Sequence, residues 1–500
     1  MKHPLLLAAL CCTLSIHAQV QLVKDIYPGP NPRNADPQFL TPFGTKLYFN
    51  ATDSGTGREL YSYDGTNVTL VKDLNPGIHD GCYNAGDYFD HYAVVGTKMY
   101  FSGNDSTHGD ELFEYDGLSS PLLAADINPG TGSSVINNYM TYGGKLYFMA
   151  YDPTYHYQFY VFDPGTGMAI RKTSLANGVY TGQGTTSTVF RGKIYFAGND
   201  GFTGNELYAY DPIAGSASMF ADIRKGSGSS DPNNMIIGND TLYFTASDPT
   251  HGPQIFKYTG VDTPLRITSI GNGVQSLGGH LIYFKNMLVF SGDNSDGKGS
   301  ELYKYDIATG TTSLVYDINP GSNSSVPGGF VVYRTKLYFA AGDGTHGREL
   351  WVWDGTSNPY MLADIDSGGA ASNSSPGALT VWNGVLYMNA TNTTAGTELF
   401  KYEDTTTGIV NILSGMDVKV YPVPTSGITN IQIDARNDMH LSLTVFDMNG
   451  RLIYSVNEKD YVPGPNTIPV NMHNWPSGSY YYRLTDHSGK VQSAGRLLKE

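Results

Sequence analysis

Pairs of carboxylates are the residues of this 500-residue chain that first suggest chemistry. Asp53 and Glu59, Asp105 and Glu111, Asp200 and Glu206, and Asp343 and Glu349 share one spacing. Two carboxylates flanking a glycosidic bond can hydrolyse it, one as general acid and the other as base or nucleophile. A hydrolase needs one such pair, however. A pair that returns along the chain is expected to do the same structural task each time. An Asp that opens a turn accepts hydrogen bonds from backbone N–H groups two residues on, and the glycine four residues later suits a conformation that other residues resist.

Metal and phosphate chemistry have one shared candidate. The loop Asp293-Asn294-Ser295-Asp296-Gly297-Lys298-Gly299-Ser300-Glu301 is two residues longer than its counterparts and offers hard oxygen ligands. Asp293, Asp296 and Glu301 are the candidate calcium ligands, and no other cofactor is expected. The full calcium-loop spacing is missing, and Lys298 sits among the acids. Gly292-x-x-x-x-Gly297-Lys298 imitates a phosphate-binding loop. Gly299 stands where Ser or Thr would hold magnesium, and a strand follows in place of a helix. His108, His251 and His346 recur in Thr-His-Gly turns, too far apart for one shared metal. Trp351, Trp353 and Trp382 suit a sugar-stacking platform, but their place in alternating strands favours packing. Neither a Gly-x-Ser-x-Gly elbow nor a His-Glu-x-x-His helix is present.

The elements that position these residues form one repeat. Glu59-Leu60, Glu111-Leu112, Gln158-Phe159, Glu206-Leu207, Gln254-Ile255, Glu301-Leu302, Glu349-Leu350 and Glu398-Leu399 recur every 47 to 52 residues. In the first copy, Gln38–Thr41, Lys46–Ala51, Glu59–Tyr63 and Thr69–Leu74 read as four short strands joined by glycine-bearing turns. Short loops between successive strands make neighbours antiparallel. Four such strands per unit of this length describe a propeller blade. The fold class expected is all-β: an eight-bladed β-propeller of four-stranded antiparallel blades, followed by a small C-terminal Ig-like β-sandwich. The small residue ending each second strand, such as Ala51 or Gly198, suggests crowding near a central axis. The fourth-strand motif also appears early, at Leu22-Val23-Lys24-Asp25-Ile26. Gln21 to Ile26 is therefore expected to complete the last blade, leaving 409–413 as a surplus strand.

Residues 1–18 read as a signal peptide: Lys2, an apolar core from Leu5 to Leu14, and Ile16-His17-Ala18 before cleavage. No other stretch is apolar enough to cross a membrane as a helix. Export leaves Cys82 as the mature chain's single cysteine, so stability must come from packing without an internal disulfide. The formal net charge of −15 excludes nucleic acid, which demands a basic stripe, and disfavours anionic membrane surfaces.

The best-formed copy, Glu349-Leu350-Trp351-Val352-Trp353-Asp354-Gly355-Thr356, resembles the bacterial ELWxxDGT-repeat family. That resemblance covers roughly 21–413 and implies architecture without an established activity. Gln158 and Gln254 depart from the motif. After a linker at 414–418 the composition resets. Residues 419–500 resemble the type A C-terminal sorting domain of the type IX secretion system. The match is carried by Tyr421, Pro422 and Pro424, then Asp447 and Gly450, then Gly478 and Tyr480, and a basic end at Lys499. Val423 stands where the family usually has asparagine. The resemblance implies passage through the periplasm and across the outer membrane of a Bacteroidetes-type cell, with the secretion machinery as partner.

The expected protein is thus secreted or held at the outer cell surface. Residues 19–413 would form a non-catalytic binding or adhesion propeller that meets an extracellular glycan or protein. The alternative is a secreted polysaccharide-acting enzyme with its site at one mouth of the channel. The irregular 75–93 segment, with His79, Asp80, Cys82, Asp87, Asp90 and His91, is where such a site would break the repeat.

Overall fold

The computed structural model describes residues 20–29, 32–82, 92–179, 187–274, 281–369, 372–404, 416–421, 425–435, 438–447, 451–462, 464–486 and 491–499. The leader at 1–18 and the surplus strand at 409–413 lie outside them. The described chain divides into two compact units, with the sequence boundary between Glu403 and Asp404. The expected linker at 414–418 is shorter than its reading, because Met416–Tyr421 is already a strand.

No helix occurs among the described residues. The first unit holds eight antiparallel sheets in chain order, at 38–72, 93–125, 137–171, 188–221, 233–266, 273–316, 328–363 and 377–402. The sixth has an extra strand, since Gly273–Val274 and Leu281–Phe284 both pair with Met287–Asp293. The eighth draws its outer strand from the other end of the unit. Val20–Lys24 runs antiparallel to Gly396–Tyr402, with Val20 opposite Tyr402 and Leu22 opposite Phe400. This is the pairing that the fourth-strand motif at Leu22–Ile26 predicts.

Residue type explains the layers. Lys46–Asp53 and Gly57–Tyr63 carry consecutive apolar residues and are buried on both faces, as strands covered from two sides must be. The outer strand Val68–Lys72 is mostly solvated. Cores lie between consecutive sheets. Tyr48 and Leu60 of the first sheet meet Met99 and Phe101 of the second. Phe159 of the third stacks on Phe196 of the fourth with centroids 5.0 Å apart. Trp382 and Tyr387 of the eighth close on Tyr63 of the first. At Gly198, which ends one of the second strands, a near neighbour requires the small residue. Gly198 lies opposite Glu206 in register, and a Cβ there would stand 2.8 Å from both the Tyr208 ring and Leu175.

The second unit has a three-stranded sheet, Met416–Tyr421, Ile428–Ala435 and Gly464–Asn471. Its four-stranded sheet orders Leu452–Tyr461, Met439–Phe446, Gly478–Thr485 and Val491–Lys499. Ile431, Leu443, Val470 and Leu484 belong to one core.

Candidate functional site

The paired acids separate into two devices. Each Asp serves its own turn. Asp53 Oδ1 accepts from the backbone N–H of Gly55 and Thr56 at 2.7 and 2.8 Å, while Oδ2 accepts from the Tyr61 hydroxyl at 2.6 Å. Asp105, Asp200 and Asp343 accept in the same way from the amides two and three residues on. His108 and His346 each place Nδ1 against that Asp, at 2.9 and 2.7 Å. The Asp carboxyl holds both imidazoles above their ordinary pKa, and each histidine stays within its own sheet.

The glutamates form the second device. Glu59, Glu111, Glu206, Glu301, Glu349 and Glu398 are completely buried. Glu301 accepts from Ile318 N at 2.7 Å, Ser325 N at 3.0 Å and Ser325 Oγ at 2.6 Å. Ile318 follows the outer strand of the same sheet, but Ser325 leads into the next one. The Ser325 carbonyl then accepts from Gly342 N of that next sheet at 3.0 Å. Each Glu therefore clasps its sheet to its successor. Glu206 and Glu349 repeat the arrangement through Ser230 and Ser374. Glu398 makes the clasp with the chain start, accepting from Ile26 N at 2.9 Å and Tyr27 N at 3.3 Å.

Gln158 and Gln254 solve the same problem with an amide. Each accepts from a threonine hydroxyl (Thr173, Thr268) and from a backbone N–H, and each donates to a backbone carbonyl. In these two copies the neighbouring Asp of the outer strand is replaced by Ser174 and Ser269. The outer-strand Asp therefore accompanies Glu and is absent beside Gln.

Burial raises Glu59 to about 8 and Glu111 and Glu398 to about 7, and the charges of Asp73, Asp126 and Asp25 add to the effect. The folded chain holds protons that the unfolded chain releases. Stability from these groups is complete below the ordinary Glu range and is lost as pH rises through 7 to 8. Thermal melts are expected to show Tm falling by several degrees from pH 5 to pH 9. Glu59→Gln combined with Asp73→Ser, the pairing present at Gln158 and Gln254, should flatten that slope. A Tm that climbs across the interval contradicts the assignment.

The calcium candidates are not brought together. Glu301 is held in its clasp, Asp293 accepts from Ser295 N and from Asn272 Nδ2, each at 2.8 Å, and Asp296 accepts from Lys298 N at 3.2 Å. Among the described residues no group of three or more His, Cys, Asp or Glu is arranged to hold a metal ion. Trp351, Trp353 and Trp382 are buried in packing and present no platform. In the irregular 75–93 segment, Asp80 accepts from Arg58 N at 2.8 Å and Cys82 is buried. Asp87, Asp90 and His91 lie outside the described residues.

Motif reading alone does not single out Arg58 and Arg348, which precede the clasping Glu in the first and seventh sheets. Only aligning the repeats brings them out. Arg348 lines a recess of about 450 Å³ with Asn319, Ser324, Val326, Gly344 and Asn373.

In the second unit, three of the tail-motif residues do converge. Asp447, Gly478 and Tyr480 line a recess of about 400 Å³ together with Arg451 and Trp475. Asp447 accepts from Arg451 N at 2.9 Å and Nε at 3.0 Å, and the Tyr480 ring packs on Trp475. Lys499 lies opposite Gly478 in register, and Tyr421 ends the first strand of the other sheet. Pro422, Pro424 and Gly450 lie outside the described residues.

No curated protein sequence matches the chain. Among solved structures it is similar to PorZ, a surface component of the type IX secretion system of Porphyromonas gingivalis, at 15% identity and a TM-score of 0.41. That match covers 95% of this chain and 61% of PorZ. A puromycin-hydrolysing peptidase of Mycobacterium tuberculosis matches at 11% identity and a TM-score of 0.45, over 84% of this chain and 61% of that one. The β-propeller domain of the Trilobed protease from Pyrococcus furiosus matches at 14% identity and a TM-score of 0.39, over 68% of this chain and 99% of the domain. This chain thus spans about three fifths of the first two proteins. No helix among the described residues is long and apolar enough to cross a membrane. Residues 419–496 match the family model of the secretion system C-terminal sorting domain, so the chain ends in the sorting tail of a protein exported to the outer surface or the medium.

Proposed function

We propose that the protein is an exported binding protein whose first unit is a closed eight-bladed propeller of the ELWxxDGT-repeat kind. The sorting tail at 419–496 is the observation that carries the reading. Eight successive sheets, with the eighth packed on the first, support the ring. The acids that suggest hydrolysis point into clasps and turns, which favours binding over catalysis. Loops at the two ends of such a ring are where ligands are met. The tail would act through the recess that gathers Asp447, Gly478 and Tyr480.

Export is tested in a host with a working type IX system. The full chain is expected in the medium or on the surface, and a chain lacking 419–500 should accumulate in the periplasm. Arg451→Ala, which removes a wall of the recess, should reduce export at least severalfold while circular dichroism stays unchanged. Full export of the truncated chain would overturn the reading. A glycan array on the exported protein then tests binding, and depolymerisation of a bound glycan would replace binding with catalysis.

A further inference from the structure

Arg58 and Arg348 occupy the same repeat position and donate to the same backbone carbonyl. Arg58 Nη1 reaches Asp36 O, and Arg348 Nη1 reaches Val326 O. Beyond that contact the two sites differ completely. Arg58 is neutralised: its Nη2 meets Asp36 Oδ2 at 3.0 Å, and Nη1 also donates to Asn50 Oδ1 at 3.0 Å. Gln38 supports the pair by donating to Asp36 at 3.0 Å. In the seventh sheet Val326 stands for Asp36, Gly328 for Gln38 and Ala340 for Asn50. The arginine is kept while every side chain that answers it is gone.

The substitution at 326 is costly on its own account. Asp36 and Val326 both hold a left-handed backbone, at φ 49° and 44°. Asp tolerates that region, whereas a β-branched residue is strained in it. Valine at this position supplies no carboxylate, and Arg348 lines the recess of about 450 Å³. Burial alone pulls the Arg348 pKa down to about 10. No acidic side chain lines the recess. Its polar walls have donors to offer. Asn373 Oδ1 accepts from Arg348 N at 2.8 Å, which directs the amide NH2 elsewhere. Ser324 Oγ accepts from Ser300 N at 2.9 Å and keeps its own proton for donation.

We propose that this recess binds the carboxylate of a sugar acid, with Arg348 taking the place in the ligand's recognition that Asp36 lets Arg58 fill internally. A planar guanidinium matches a carboxylate through two parallel hydrogen bonds. The volume suits one pyranose ring. Amide and hydroxyl walls, with Val326 the main apolar contact, fit a hydroxylated ring better than an apolar side chain. The inference deepens the binding reading above and can fail without it.

The test is calorimetric titration of the full chain with D-glucuronate, D-glucose and N-acetylalanine. Glucuronate is expected to bind saturably and glucose not. Arg348→Gln should weaken glucuronate at least tenfold. Val326→Asp should do the same by supplying the missing carboxylate from within, while Tm holds or rises, so the result does not depend on damage to the fold. Absence of glucuronate binding, or binding unchanged in Val326→Asp, overturns the site. N-acetylalanine binding as tightly as glucuronate overturns the sugar assignment. Glycan-array signals that survive Val326→Asp, without glucuronate binding, sink this site alone and leave the binding reading standing.

Discussion

Deleting residues 20–29 is expected to abolish cooperative folding of the first unit. The deletion strips the outer strand from Gly396–Tyr402 and leaves that strand as an open, apolar edge. It takes Ile26 out of the core shared by the eighth and first sheets. It also removes the Ile26 and Tyr27 backbone amides that donate to the buried Glu398. Unpaired edges of this kind recruit other chains, so the deleted protein should elute as aggregate and lose its sharp melting transition. Supplying residues 20–27 after Tyr402 through the turn Asp64-Gly65-Thr66-Asn67, with the chain starting at residue 32, should restore a monomer. In every other sheet the outer strand follows the third by such a turn, so the graft needs no new topology. A deleted chain that melts sharply as a monomer would refute the closing role.

Glu301→Ala is expected to cost about 3–5 kcal/mol, because it leaves buried donors of Ile318 and Ser325 without an acceptor and opens a cavity between two sheets. Glu301→Gln should lose less, since an amide serves at Gln158 and Gln254. Asp296→Ala, at an exposed turn of the same loop, should stay within about 0.5 kcal/mol of the parent. Urea unfolding of the three variants checks the order. If alanine at 301 were as mild as alanine at 296, the clasp would not hold the sheets together.

Local rules made much of this legible from the chain alone. The Asp turns follow from a side chain reaching amides two and three residues on. The closing strand is visible because Leu22–Ile26 repeats a fourth-strand motif before any first strand. The tail declares itself by short motifs, Tyr421-Pro422 and Gly478-Ser479-Tyr480 among them, that can each be read locally. The glutamate's role was out of reach for the opposite reason: the Ser325 amide that binds Glu301 lies 24 residues on and belongs to another sheet. Glu-Leu in a short strand reads as one face out and one face in, yet both faces are covered. The calcium reading grouped Glu301 with the loop acids Asp293 and Asp296, whereas its side chain is buried in the clasp. Arg348 carries no motif, and its interest appears only when Val326, Gly328 and Ala340 are set against Asp36, Gln38 and Asn50.

The clasp has a direction. Each Glu holds the segment that leads forward into the following sheet, and Glu398, the last of them in its unit, holds the start of that unit instead. The six Glu-bearing repeats thus present the same socket ahead and the same plug behind, while Gln158 and Gln254 hold residues that follow their own outer strands. Gene duplication or loss of one whole unit would leave all sockets filled, whereas a cut within a unit would leave one empty.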